Sequence, residues 1–172
     1  MTVQHDYVVG LTWSDAAGTG SFGGYSRDHE LIFPDKAATL PASAPEWFRG
    51  DKARYSAGEL FVAAIASSHM VRFLEVASQV GLVVVRYDDE VVGTARLGSR
   101  GDGQIADLTL RPSLTVRPGP HAHAAEVTRM HRRAQSMSLV RPCLTIEVSI
   151  EPGALTVLDQ DPAPAGAVSP AS

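Results

Sequence analysis

SAGELFVAAIASSHMVRFLEVASQVG, residues 56–81, is the stretch whose reading decides the fold. Leu60, Ala64, Val71 and Leu74 recur at three-and-four spacing, and Phe61, Ile65 and Met70 widen the stripe, which predicts one face of a helix. Ser56 followed three residues later by Glu59 has the form of a capping box, able to satisfy the first turn's orphan amides. Gly81 suits the left-handed stop at the other end. Alanines at 57, 63, 64, 66 and 77 let other backbone approach closely, so the helix is expected to be central and largely buried. Inside it lies Ser67-Ser68-His69, a polar triplet that burial tolerates only with hydrogen-bond partners. Any chemistry the fold offers is expected near that triplet.

On the N-terminal side, residues 5–13 read as a strand, Gly18 to Gly20 as a turn and 21–26 as a second strand, a hairpin pattern. Arg27-Asp28-His29 leads into a short apolar strand, 31–33. Residues 34–51 hold three prolines and read as a loop, with Trp47 and Phe48 as its anchor. On the C-terminal side, 82–97 is rich in β-branched residues and reads as a long strand, bulged near Gly93. A turn at 100–103 precedes strands 104–110 and 114–117, separated by Pro112. Pro118-Gly119-Pro120 breaks the sheet, and 121–139 is a second helix with Val127, Met130, Ala134 and Met137 inward and Arg129, Arg132 and Arg133 outward. Pro142 ends that helix, and 144–150 and 155–158 are further strands. Residues 1–158 form one domain of α+β class, and the Pro/Ala-rich tail 159–172 is expected to be disordered.

Composition sets outer bounds. The 172 residues suit a single domain with a sizeable core. A net charge of −4 with no Lys/Arg block argues against a nucleic-acid partner. No apolar run is expected to span a membrane, and the N-terminus lacks the pattern of a signal peptide, so a cytoplasmic protein is expected. Cys143 is the single cysteine, which excludes an intrachain disulfide and a multi-cysteine metal site.

Several separated motifs then occur in one order: Tyr25-Ser26-Arg27-Asp28-His29, Phe48-Arg49-Gly50-Asp51, Glu59-Leu60-Phe61 through Ser68-His69-Met70, Val85-Arg86-Tyr87-Asp88-Asp89, Leu110-Arg111-Pro112, and His131 with Ala134. Together they resemble the osmotically inducible protein C / organic hydroperoxide resistance (OsmC/Ohr) family from about Trp13 to about Pro152. The resemblance implies an OsmC-like fold, with antiparallel sheets packed around a buried central helix in an intertwined homodimer. It implies a thiol peroxidase that reduces organic hydroperoxides in the oxidative or osmotic stress response, with no cofactor. In that family a peroxidatic cysteine lies in the central helix and a resolving cysteine in the second. An arginine from the N-terminal hairpin polarises the first thiol, and a glutamate at the central helix start holds the arginine.

Laid on this chain, the peroxidatic position is Ser68, the resolving position Ser138, and the glutamate position Gly58, next to Glu59. Only the arginine has a match, Arg27. A thiolate is populated near neutral pH and passes through a sulfenic acid to a disulfide; a serine hydroxyl does neither. The expected function is therefore a family member without thiol peroxidase activity, keeping a pocket around Arg27, Ser68, Ser138 and His69 for a small apolar or anionic molecule. The alternatives are a hydroperoxide reductase, as family membership would imply, and a structural or partner-binding protein whose pocket has closed.

Ser68 as a nucleophile is disfavoured, because adjacent Ser68 and His69 do not face each other on a helix and no G-x-S-x-G elbow is present. Arg27 without its acidic partner is expected to meet solvent, bind an anion or find a structural pair. His29, His69 and His131 lack metal-ligand spacing, so no metal is expected. Cys143 is expected to be a small, inert, buried residue.

Overall fold

The computed structural model describes residues 4–16, 18–99 and 102–159, so most of the tail expected over 159–172 lies outside the described residues. The central helix, α1, runs Ala57–Val80. The capping box forms in both directions: Ser56 N–H and Oγ–H donate to Glu59 Oε2, each at 2.7 Å, and Glu59 N–H donates back to Ser56 Oγ at 3.3 Å. Those bonds hold the Glu59 carboxyl below its usual range, the Ser56 amide contributing most. Gly81 closes the helix at φ 80°, a conformation that costs a side-chain-bearing residue energy.

The chain divides inside α1, between Phe61 and Val62, into two compact units. The first holds a three-stranded antiparallel sheet in the order β1 (Gly10–Thr12), β2 (His29–Ile32), β3 (Leu40–Ala42). Gly10 pairs with Ile32 and His29 with Ala42. The hairpin partner of β1 is thus 29–32, not the predicted strand at 21–26, which curls into turns. There the Arg27 guanidinium donates to the carbonyls of Phe22 and Tyr25, drawing the loop onto itself. The predicted loop 34–51 contains β3 and a 3-10 turn, Glu46–Phe48. Trp47 is 60% exposed, so it does not anchor this loop. Buried Ser43 does: its hydroxyl donates to Asp28 Oδ1 at 2.7 Å and accepts from Asp51 N–H at 3.1 Å. A Cβ at Gly50 would collide with the Ala44 carbonyl, so this approach requires glycine.

The second unit is built on the hairpin of β4 (Val84–Leu97) and β5 (Gly103–Val116), antiparallel, with register shifts between Val84/Arg86 and Thr94/Ala95. β6 (Glu147–Ile150) and β7 (Leu155–Val157) both join β5 in parallel, so this sheet is mixed where an antiparallel one was expected. Pro112 does not split β5 as predicted. It falls between the β6 and β7 pairings, where the chain turns back: Glu151 N–H bonds Leu110 O and Gly153 N–H bonds Pro112 O. No continuous ladder there requires the missing proline donor.

α2 spans Ala124–Ser136, three residues shorter at each end than predicted, because His123 is already extended at φ −144° and the chain leaves the helix at Met137. Val127, Met130 and Ala134 are buried as expected and pack with Phe73, Val76, Leu114 and Val116 into the main core. Ile65, Leu108 and Leu110 form a second cluster under Val140, Leu144 and Val148.

The helix face turned to this core is Ile65, His69, Phe73, Val76 and Ala77. It is not the predicted stripe: Phe61, Val71 and Leu74 are exposed. α1 is apolar on more than one side, and hydropathy alone could not choose between the sides. The same composition makes it long and apolar enough to cross a bilayer, contrary to the expectation that no run would be. Here it is the core helix of a sheet-covered domain, and it carries Ser67, Arg72, Glu75 and Gln79 along its length.

Candidate functional site

Each member of the polar triplet on α1 has a different fate. Ser67 faces outward, Ser68 is half-buried, and His69 is 4% exposed. Four-residue steps put His69 between Ile65 and Phe73 on the core face, so its ring must find a partner inside. α2 and the residues after it supply partners for both inward members. Ser68 Oγ and Ser138 Oγ lie 3.1 Å apart. Ser138 Oγ also accepts Arg141 N–H at 3.3 Å, and either serine hydroxyl can donate to the other. His69 Nε2 and His131 Nδ1 lie 3.0 Å apart and share one hydrogen.

The two imidazoles stack, 5.3 Å between centroids and 17° between planes, and Phe73 covers His131 at 4.1 Å. His131 is 1% exposed, and its Nε2 has no partner among the described residues. Burial disfavours charge on both rings, lowering His69 to about 4 and His131 to about 3, the latter helped by His69 itself. Both are therefore neutral at pH 7. A cavity of about 10 Å³ adjoins this seam, lined by His69, Gln135, Ser138 and Arg141 beside Ile65, Leu110 and Val148, enough for about one water. Gln135 Nε2 donates to Val148 O at 2.8 Å and ties α2 to β6.

Below the seam, Tyr87 on β4 packs its ring 5.8 Å from Phe73 and donates its hydroxyl to Asp89 Oδ2 at 3.3 Å. Asp89 also accepts Arg111 N–H at 2.7 Å. Burial raises the acid's pKa despite those two donors, and raises that of the Tyr87 phenol.

Arg27 belongs to the first unit. Besides its two carbonyl partners it lies over the rings of Tyr25, at 4.0 Å, and Phe22, at 5.0 Å. It lines an open cleft of about 480 Å³ with Trp13, Tyr25, His29, Ser43 and Pro45. His29 Nδ1 is 2.8 Å from the Arg27 carbonyl. The three histidines weighed as metal ligands thus separate into a bonded pair, His69 and His131, and His29 in the other unit. No group of three or more metal-ligating side chains occurs among the described residues. Gly58 sits in the first turn of α1, and the carboxylate of neighbouring Glu59 is engaged by Ser56. Cys143 is exposed at the end of a 3-10 turn, Arg141–Cys143, and not buried as expected.

No family model matches the chain, and no curated protein does. Solved structures do. An OsmC-like protein of unknown function from Vibrio cholerae O1 superposes with a TM-score of 0.76 at 26% identity, over 87% of this chain and 99% of that one. The chain has the OsmC-like fold. An organic hydroperoxide resistance protein from Legionella pneumophila shares the OsmC-like fold at a TM-score of 0.63 and 12% identity, over 91% of this chain and 98% of that one. One from Elizabethkingia anophelis does so at 0.60 and 11%, over 88% and 99%.

Within the OsmC-like fold of this chain, Ser68 and Ser138 are in contact through their hydroxyls. The pairing of His69 with His131 was not read from the sequence. The signal was present: His69 falls in step with Ile65 and Phe73, and His131 in step with Val127 and Ala134.

Proposed function

We propose that this OsmC/Ohr chain has left thiol peroxidase chemistry and serves as a small-molecule binding or sensing protein of the same stress-response setting, soluble and cytoplasmic. The observation that carries the reading is the contact of Ser68 Oγ with Ser138 Oγ, 3.1 Å. Ser68 on α1 and Ser138 just beyond the end of α2, which the sequence resemblance assigns to the peroxidatic and resolving cysteine positions, both hold oxygen. A hydroxyl is not ionised near neutral pH and has no sulfenic acid stage, so the peroxide-reducing cycle has no first step. The remaining sulfur nucleophile, Cys143, lies on the surface with no partner cysteine.

Ligand capture is assigned to the cleft of the first unit. Its volume falls in the range of small-molecule sites, and its walls combine aromatic faces with one guanidinium. That pairing suits a small organic anion, an aromatic or branched body with a carboxylate. The Elizabethkingia anophelis protein holds crystallant-derived thiocyanate, and a Vibrio cholerae hydroperoxide resistance protein holds captopril in one of its active sites. Those observations belong to those proteins, and they are consistent with an anion-accepting fold. We further propose a homodimer, in which a second copy covers the outward apolar face of α1.

Two measurements test the reading. Incubation with cumene or tert-butyl hydroperoxide and a dithiol should give no sustained turnover; turnover surviving Cys143→Ser would refute the loss of activity. Calorimetric titration with a panel of aryl carboxylates should show binding that is lost for the matched neutral amides and weakened at least tenfold by Arg27→Ala. A panel with no preference for the carboxylates would refute the ligand class.

A further inference from the structure

The His69–His131 pair has no part in that reading, yet it is the most buried titratable cluster on the core face of α1. Two rings 4% and 1% exposed are joined by a single N···N contact of 3.0 Å. Two neutral imidazoles carry one hydrogen each. One hydrogen sits between Nε2 of His69 and Nδ1 of His131. His131 Nε2, buried and without a partner among the described residues, either carries the other hydrogen or presents a bare lone pair. In neither tautomer is there a group waiting to receive a positive charge.

The surrounding elements supply none. On α1 the nearest charged side chains are Arg72 and Glu75, which pair with each other at 2.7 Å. On α2, Arg132 is exposed and Arg133 donates to Gln79. β4 offers Tyr87 and Asp89, bonded to each other, and the turn after α2 offers Arg141, itself a cation. On β5, Asp107 lies 3.7 Å from Arg96 and Arg111 pairs with Glu151, while Glu147 on β6 is exposed. Neither ring hydrogen-bonds to any of them.

We infer that His69 and His131 form a proton-sensitive latch holding α2 against α1, released on mild acidification so that α2 swings away and uncovers the Ser68–Ser138 contact. The first proton enters a site with no counter-charge, and a second places two cations face to face. Both are relieved if α2 separates and water reaches the rings. The small cavity beside His69, Gln135 and Ser138 is where water enters first. Since the rings titrate at about 4 and 3 when closed and near 6.5 when open, acidification from pH 7 to 5 favours the open form.

The test is amide hydrogen exchange by NMR on the full chain, corrected for intrinsic rates, at pH 7 and pH 5. Protection of the α2 amides, residues 127–137, should fall at least tenfold. At pH 5 it should lie below that of the β4–β5 ladder, residues 105–115. In His69→Gln/His131→Gln, whose amides keep a hydrogen bond without titrating, the fall should vanish. Equal protection of α2 and the ladder at pH 5 would overturn the latch, since the pair would then yield only with the whole unit. So would α2 protection that does not change with pH. Both outcomes are read in the native chain, so the proposal stays decidable even if the double variant does not fold.

Discussion

Ser68 and Ser138 are 70 positions apart in sequence and 3.1 Å apart at their hydroxyl oxygens. A sulfur–sulfur bond spans about 2.0 Å between Cβ atoms about 3.8 Å apart, so little movement separates this contact from a disulfide. Ser68→Cys/Ser138→Cys on a Cys143→Ser background should oxidise to an intramolecular disulfide under mild oxidant, with both thiols vanishing together from alkylation mass spectra. Single-thiol or cross-linked products alone would show that the two side chains do not meet in solution.

The capping box at the start of α1 is the most exposed to a single atom's loss. Ser56 is buried, and its hydroxyl both donates to Glu59 and accepts the Glu59 amide. Ser56→Ala should cost about 1 kcal/mol, a fall of about 3 °C in Tm for a domain of this size, measured by calorimetry. Ser56→Asp, which can still accept the amide but meets the Glu59 carboxylate, should recover less than half of that.

How far the fold was legible follows from which residues speak locally. Ser56, Glu59 and Gly81 fixed the ends of α1 because caps act within one turn. Its buried face did not follow. Leu60, Ala64, Val71 and Leu74 make as good a stripe as Ile65, Phe73 and Val76, and only the sheet decides between them. Pro112 was read as a break because proline denies a ladder bond. The compensating gap between β6 and β7 is set by residues some 40 positions later. The strand predicted at 21–26 failed for a similar reason: Arg27 folds back on Phe22 and Tyr25, a tertiary contact that alternation cannot announce. The sequence singles out Ser68, Ser138 and His69, which lie in the second unit, and Arg27, which lies in the first. That Ser68 meets Ser138 was implied only by alignment to a cysteine pair, and that His69 meets His131 was not foreseen.

The stripe that the sheet left out has its own consequence. Val71 is 55% exposed, Leu74 37% and Phe61 36%, outside the buried face of Ile65, His69, Phe73, Val76 and Ala77. A second copy seated on this face would remove that apolar area from water, each fully buried side chain contributing about 1.5–3 kcal/mol. Sedimentation velocity at micromolar concentration should give a dimer, and Val71→Arg should shift it toward monomer. A wild-type monomer at that concentration would remove the proposed assembly.

The pH dependence of stability has a sign set by the buried imidazoles. In the folded chain they titrate at about 4 and 3, against 6.5 unperturbed. Between those values the unfolded chain binds protons that the folded chain refuses, so stability rises with pH there. The contribution is complete above pH 6.5 and is lost as pH falls toward 4 and then 3. Asp89 works in the opposite direction: its folded pKa is raised by burial, so its contribution is present below the unfolded value near 3.8 and fades as pH climbs through the raised one. One acid opposes two imidazoles, so the histidines should dominate from pH 7 to 5. Each full pKa unit is worth about 1.4 kcal/mol, so over that interval Tm should fall by at least about 5 °C. His69→Gln/His131→Gln should flatten the slope, and Asp89→Asn should steepen it. A native Tm that holds constant from pH 7 to 5 would mean that the pair is not held neutral, and that water already reaches both rings in the folded protein.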